Sequence, residues 1–150
     1  MSENRRSGAT GGTRARARYL VAALVLVAGG AFAWWQWGGR GNTVTVTVPA
    51  LSPLAKTGER AFAADCARCH GVNGAGTDRG PPLIHDLYNP GHHPDAAFVR
   101  AVRYGVRQHH WPYGNMPPRP EVSDAELAAI IRYVRELQRA NGIHYKPHIM

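Results

Sequence analysis

The sequence predicts an all-α fold of three to four helices and long loops that follows an N-terminal transmembrane helix. Three observations lead to this prediction. Apolar residues recur at helical spacing after residue 52, glycine- and proline-rich stretches separate the helical segments, and an uncharged apolar run lies near the start of the chain. Because the segments after residue 52 contain few aliphatic residues for their length, we expect something other than side chains to fill the centre of the domain.

The first two elements are a basic segment, residues 1–18, and an uncharged run, residues 19–37. Five arginines and one glutamate in the basic segment predict a cytoplasmic N-terminus. The run has about the length that spans a bilayer, and its tryptophan-rich end is typical of an interfacial aromatic belt. A cleaved signal peptide is the alternative, because Ala31-Phe32-Ala33 fits the small-residue cleavage pattern. Both interpretations place the rest of the chain outside the cytoplasm.

Residues 38–51 are predicted to form an extended spacer between the membrane and a domain at residues 52–150. Threonine and valine alternate over residues 42–48, but a single strand would have no partner in this sequence. The first helix of the domain begins at Ser52, a good N-cap, followed by Pro53 at the first helical position. We expect this helix to continue to about His70, with Gly58 and Phe62 on one side.

Two further helices follow a loop at residues 71–82, which is rich in glycine and ends in two prolines. The second helix begins at Pro94-Asp95 and ends near Gly105. Its expected inward residues are Phe98, Val99, Val102 and Val106. The last helix has a capping box, Ser123 with Glu126, and ends at Asn141-Gly142. Its apolar residues recur at helical spacing: Leu127, Ile130, Ile131, Val134 and Leu137.

The charge of the chain argues against nucleic acid as a partner, although the formal net charge is +8. Much of the excess lies in residues 1–18. From Ser52 onward, the chain has twelve lysines and arginines and nine acidic residues. These charges are scattered over helices and loops. The domain has no basic stripe with interleaved aromatic residues, the pattern that nucleic-acid binding requires.

The segment CARCHG, residues 66–71, contains both cysteines of the chain, followed directly by a histidine. A structural zinc site needs four ligands. The missing pair would have to be His92-His93 or His109-His110, and adjacent residues rarely converge on one metal. A redox dithiol is typical of a helix start in a βαβ unit, whereas this motif ends a helix in a chain without predicted strands.

Covalent haem attachment fits the segment better. Two thiols at this spacing can add to the two vinyl groups of a haem, and His70 can then offer its imidazole to the iron. The haem would also fill the centre of the domain. Met116, on a proline-rich loop, is the only methionine apart from Met1 and Met150. Its thioether is a suitable second ligand for haem iron; the alternative is that it fills a packing gap.

These motifs resemble those of a class I c-type cytochrome over residues 52–142. Cys66, Cys69 and His70 match the family's attachment motif, Gly80-Pro81-Pro82-Leu83 resembles its Gly-Pro-x-Leu loop, and Met116-Pro117 matches its distal-ligand pair. The resemblance implies one haem c bound through Cys66 and Cys69, with His70 and Met116 as iron ligands. It also implies that the Pro81 carbonyl accepts the His70 Nδ1 proton, that Leu83 packs on the haem, and that the first helix crosses the last near Tyr133.

Several residues depart from the family pattern. Ile84 and His85 replace the usual continuation after the leucine, and the loop at residues 106–115 is longer than in the family's shortest forms. His109, His110, Trp111 and Tyr113 in this loop have no secure counterpart, although Trp111 or Tyr113 could bind a haem propionate. His144 and His148 in the tail fit either a solvated segment or a copper ligand set.

The resemblance implies a one-electron carrier and not an enzyme, so no catalytic residues are expected. The expected partners are redox proteins, a donor complex and a terminal acceptor, and the membrane through residues 19–37; no small-molecule substrate is expected. The haem domain would lie on the periplasmic side of the inner membrane. Two alternatives stay open: a haem subunit fixed in a larger reductase or oxidase complex, and a haem enzyme or gas sensor with a labile distal site that uses His109 or His110.

Overall fold

The computed structural model describes residues 11–37 and 42–147. The chain divides into two compact units, Met1–Gly39 and Arg40–Met150. The first unit contains one helix, α1 (Gly11–Trp37), which includes the predicted anchor at residues 19–37. Across the two described ranges, no helix meets the combined requirement of length and apolar character for crossing a membrane. Residues 1–10 and the side chains of the three tryptophans at the end of α1 lie outside the described part of the chain.

The second unit is helical, as predicted. It contains α2 (Pro53–Asp65), α3 (Ala67–His70), α4 (Asp95–Tyr104) and α5 (Asp124–Ala140), with two short 3₁₀ turns at Val72–Gly74 and Asp86–Tyr88. Within the described ranges, the only β-type pairing is an isolated antiparallel bridge between Val106 and Met116. Long loops connect these elements, so the all-α fold class is confirmed.

The centre of the second unit is the crossing of α2 and α5. A Cβ atom on Gly58 would overlap the backbone carbonyl of Ala129, so glycine is what allows the two helices to approach this closely. One turn further along, the rings of Phe62 and Tyr133 meet edge to face, with centroids 5.6 Å apart. The predicted crossing near Tyr133 is therefore present. All five apolar residues predicted to face inward from α5 are buried.

The helix ends follow their capping residues, with one break that the sequence did not predict. Ser52 caps α2, and the Ser123–Glu126 capping box opens α5 as expected. The predicted helix to His70 is interrupted at Cys66, whose φ of −117° departs from helical values. The break separates α2, which packs on α5, from the short α3, which carries Cys69 and His70.

Residues 42–51 have no regular secondary structure, and they pack on the domain. Val44 and Val46 are half-buried against the core, whereas the alternating threonines are exposed. The Val44 N–H donates to the Ala75 carbonyl at 2.8 Å, and Asn141 exchanges two hydrogen bonds of 2.8 Å with the backbone of Thr47. Through these contacts, residues 42–51 pack against the domain predicted to begin at residue 52.

One inward-facing residue was also wrongly predicted. Val99 on α4 is 39% exposed, whereas Val102 is buried at 8% exposure. A ten-residue helix buries a narrow stripe when it packs on one side only, and Val99 falls at the edge of that stripe.

Candidate functional site

A cavity of about 660 Å³ lies between α2, α4, α5 and the loops that connect them. This volume is in the range of small-molecule and cofactor sites. Three α5 side chains, Leu127, Ile130 and Val134, form part of its apolar wall. Five of the six predicted cofactor-binding residues also line it: Cys66, His70, Pro81, Leu83 and Met116.

The sixth predicted residue, Cys69, is exposed and is not among the residues that line the cavity. Cys66 is half-buried, and neither cysteine forms a disulfide. Burial, reinforced by the neighbouring Asp65 carboxylate, raises the pKa of the Cys66 thiol to about 11. A redox dithiol needs a thiol whose pKa is lowered so that it ionises near neutral pH. The raised pKa of Cys66 therefore argues against the dithiol interpretation.

His70 is held in one tautomer by the loop that follows it. Its Nδ1 lies 2.9 Å from the Pro81 carbonyl oxygen, the contact that the resemblance implies. Because a carbonyl can only accept, Nδ1 carries the proton and Nε2 keeps its lone pair. Burial lowers the pKa of His70, against the opposing effect of the Pro81 hydrogen bond, so the imidazole is neutral near pH 7. A neutral imidazole with a fixed Nδ1–H is the form that ligates a metal.

The loop at residues 71–82 is fastened directly to the cysteine motif. The Gly76 N–H donates to the His70 carbonyl at 2.6 Å, and the Thr77 hydroxyl donates to the Cys69 carbonyl at 2.5 Å. A Cβ on Gly80 would come within 2.9 Å of the same Cys69 oxygen, so this glycine permits the close approach. These contacts place Pro81 beside His70, so that its carbonyl oxygen fixes the imidazole through Nδ1.

Met116 lines the cavity from the loop that follows α4. Its backbone pairs with Val106 through two hydrogen bonds of 3.0 Å, and its side chain is half-buried against the core. Gly105 precedes this bridge with a φ of +74°, and a Cβ there would lie 2.5 Å from the Met116 carbonyl oxygen. The bridge therefore holds the methionine at a defined position in the cavity wall.

Trp111 is distinguished by an unsatisfied donor. Its Nε1–H is buried and makes no hydrogen bond of normal geometry among the described residues, although it lies close enough to the Tyr88 hydroxyl to oppose the effect of burial on the Tyr88 pKa. Such a buried donor is rare in folded proteins and indicates a group that an absent acceptor would satisfy. The hydroxyl of Tyr113, the other candidate named from the sequence, already accepts from the backbone N–H of Asn42 at 3.2 Å.

The structure also brings together four histidines that the sequence did not connect. His92 and His93 meet His109 and His110 at the cavity wall, where His92 Nε2 lies 3.3 Å from His110 Nε2. We expected that adjacent histidines rarely converge on one metal; His92 and His93 nevertheless each offer a ring nitrogen to the same group as His110. Neither cysteine joins the potential metal-ligand group found among the described residues. Two His-His pairs in separate loops were the only sequence signal for the cluster.

The fold and the site define a small all-helical domain built around a cofactor-sized cavity that has a CxxCH motif in its wall. The profile of the cytochrome c family matches residues 55–138, more than half of the chain. The chain therefore belongs to the cytochrome c family. Comparison with curated proteins and with solved structures gave no significant match.

Proposed function

We propose that the protein is a one-electron carrier with a single haem c, covalently held through Cys66 and Cys69 and ligated by His70 and Met116. Membership of the cytochrome c family implies haem c and is typical of electron carriers. The observation that carries the residue assignment is that His70, with its Nδ1 fixed by Pro81, and Met116 line one cavity. An imidazole and a thioether are the ligand pair that raises the potential of haem iron.

The residues around the cavity fit a haem in size and chemistry. Apolar side chains cover much of the wall, Leu83 among them, as the macrocycle requires. The unpartnered Trp111 Nε1–H supplies a donor for a propionate. When bound, haem c supplies a reversible one-electron couple.

Each chain residue in this proposal has a role that needs no bond chemistry on a substrate. The neutral His70 offers the Nε2 lone pair, and Pro81 keeps that nitrogen aimed by accepting the Nδ1 proton. The soft Met116 thioether favours the reduced state of the metal. Leu83 and the α5 face exclude water. The proposal therefore assigns no general acid, base or nucleophile.

A matched pair of variants tests the assignment of Met116. Met116→His should retain two strong axial ligands but lower the midpoint potential, because imidazole favours the ferrous state less than a thioether does. Val106→Ala changes the other half of the same backbone bridge and offers no ligand, so its potential should stay near that of wild type. Potentiometric titration of the full chain measures both. Equal potentials for wild type and Met116→His would contradict the proposal.

We further propose that residues 19–37 tether the domain to the inner membrane, with the N-terminus cytoplasmic and the domain on the periplasmic side. The uncharged nineteen-residue run and the arginines before it support this proposal. The tethered domain would pass electrons from a donor complex to a terminal acceptor, both redox proteins.

Membrane fractionation tests the tether. The full chain should stay with membranes after alkaline carbonate washing, whereas a chain that starts at Gly41 behind a cleavable signal should be released. A mature N-terminus at Trp34 would show instead that the apolar run is a signal peptide.

A further inference from the structure

We propose that His92, His93 and His110 form a binding site for one divalent transition-metal cation of the Zn(II) type at the wall of the cavity. The three side chains each offer a ring nitrogen, and these nitrogens all lie within 4.8 Å of one another. The site is separate from the two cysteines and from the proposed haem ligands His70 and Met116.

The spacing of two of the nitrogens fits a shared metal. Tetrahedral zinc with Zn–N bonds of about 2.0–2.1 Å holds its ligand nitrogens about 3.3 Å apart. His92 Nε2 and His110 Nε2 are separated by 3.3 Å. One ring nitrogen of the third imidazole, His93, lies within 4.8 Å of both.

The hydrogen bonding of His93 selects the nitrogen that would bind the metal. Its Nδ1 lies 2.8 Å from the Leu87 carbonyl oxygen, which can only accept. His93 Nε2 therefore keeps its lone pair. A ring nitrogen donating to a backbone carbonyl is the usual partner arrangement of metal-ligating histidines.

Two fixed loops hold the three imidazoles together. The buried side-chain oxygen of Asn89 accepts from the backbone N–H of His92 at 3.2 Å, and the Arg135 guanidinium donates to the His93 carbonyl at 2.5 Å. In the other loop, the Gln108 N–H donates to the Asn115 side chain at 2.9 Å and Gly114 N–H donates to the Gln108 side chain at 2.7 Å. The ligands thus need little ordering when a metal arrives.

The donor set decides which cation fits. Three imidazoles and no carboxylate disfavour Mg²⁺ and Ca²⁺, which prefer oxygen ligands. Imidazole nitrogen suits zinc, copper and nickel. Three histidines also leave a fourth tetrahedral position open to water. Without a cation, the 3.3 Å contact is a hydrogen bond between His92 and His110, which a bound metal would replace.

Calorimetric titration of the haem-loaded full chain with Zn(II) alone tests the proposal. We expect one zinc per chain. His110→Gln and His93→Gln should each weaken binding by at least about 100-fold, because each removes a direct ligand. His144→Gln is the matched control, since His144 is exposed in the C-terminal tail and outside the cluster; it should leave the affinity unchanged. The visible haem spectrum and circular dichroism report whether each variant is folded.

His110 keeps the test decisive if His93→Gln does not fold, because the His110 side chain is exposed and its replacement disturbs little packing. Absence of zinc binding to the haem-loaded chain would overturn the proposal. Binding that survives both cluster variants, or that His144→Gln abolishes, would overturn it too, since the metal would then bind elsewhere.

Discussion

The cavity has two unlike walls. The packed wall consists of Phe62, Cys66, His70 and Leu83, with α5 behind them; Phe62 is 1% exposed and Leu83 8%. The open wall is the loop at residues 105–116 together with His92 and His93, and it includes exposed side chains such as His109 and His110. The packed wall is fixed by close helix contact and by a short motif. The open wall is fixed by hydrogen bonds within the loop, such as those between Val106 and Met116, and by Arg135, which donates to the His93 carbonyl. We infer that the packed wall contributes more to the stability of the domain than the open wall does.

The largest effect should come from removing either of the two thiols that we propose attach the haem, Cys66 in the packed wall or Cys69 next to it. With Cys66→Ala or Cys69→Ala the chain keeps at most one covalent link to its haem. A domain that lacks the haem at its centre should be largely unfolded or degraded. Circular dichroism of the purified chain and haem retention after denaturation measure this.

The matched control for this prediction is Arg68→Ala, which lies between the two thiols and is exposed. It should accumulate to wild-type levels with its haem attached. Normal amounts of a stable, haem-free helical Cys66→Ala protein would show that haem is not the core of the domain.

Gly58→Ala should destabilise the packed wall by about 3 kcal/mol, because the added methyl group meets the Ala129 carbonyl, a backbone atom that cannot move without separating α2 from α5. Denaturant unfolding measures this change in free energy. Gly30→Ala is the control: Gly30 is also helical, and a Cβ there meets nothing within 4 Å. If both variants unfold at the same denaturant concentration, the close helix crossing is not required.

Glu136, on α5, should make the stability of the domain depend on pH. It accepts from the Ser52 N–H at 2.9 Å, the Ser52 hydroxyl at 2.7 Å and Arg132 Nε at 2.6 Å. Burial raises its pKa, but these donors outweigh burial and hold the pKa below its usual 4.5. A carboxyl with a lowered folded-state pKa stabilises the fold above its unfolded value, and this contribution disappears as pH falls through the folded value.

Glu136→Gln should therefore cost about 1–2 kcal/mol at pH 7. The difference from wild type should be constant between pH 6 and 8 and should shrink as the pH is lowered below 4.5. Unfolding free energies measured across this range test it. A difference that grows on acidification would contradict the sign of the pKa shift.

The smallest effect on stability is expected in the open wall. Trp111→Phe removes the unpartnered Nε1–H and should change the unfolding free energy by about 1 kcal/mol or less. If this donor binds a haem propionate, its loss leaves more negative charge near the iron, favours the ferric state and lowers the midpoint potential. Tyr145→Phe is the control, because Tyr145 is exposed in the C-terminal tail and does not line the cavity. Equal potentials for Trp111→Phe and wild type would exclude the propionate contact.

The two walls also differ in how far the sequence predicts them. Features of the packed wall follow from local rules: the capping box at Ser123 opens α5, and the Gly58–Phe62 spacing predicts the helix crossing. The contact between His70 Nδ1 and Pro81 follows from motif resemblance. Each depends on residues close in sequence or on one small side chain.

Other features depend on contacts that no local pattern records. The break at Cys66 is a change in the dihedral angles of one residue, and the docking of residues 42–51 depends on Asn141, far along the chain. The meeting of His92 with His110 requires two loops to be placed side by side by partners such as Arg135. Composition and periodicity describe none of these three features, so they had to come from the structure, whereas Met116 in the open wall was predicted from the sequence.

The central claim is that Met116, in the open wall, is the second iron ligand besides His70. Ligand binding to Met116→Ala tests this claim most directly. Wild type should show the weak near-infrared band of ferric thioether haem and bind carbon monoxide and cyanide slowly. Met116→Ala should lose the band and bind both ligands far faster, whereas Val106→Ala, on the same bridge, should resemble wild type. If wild type lacks the band, already binds these ligands rapidly, and Met116→Ala changes neither property, then Met116 is not a ligand and the electron-carrier account fails.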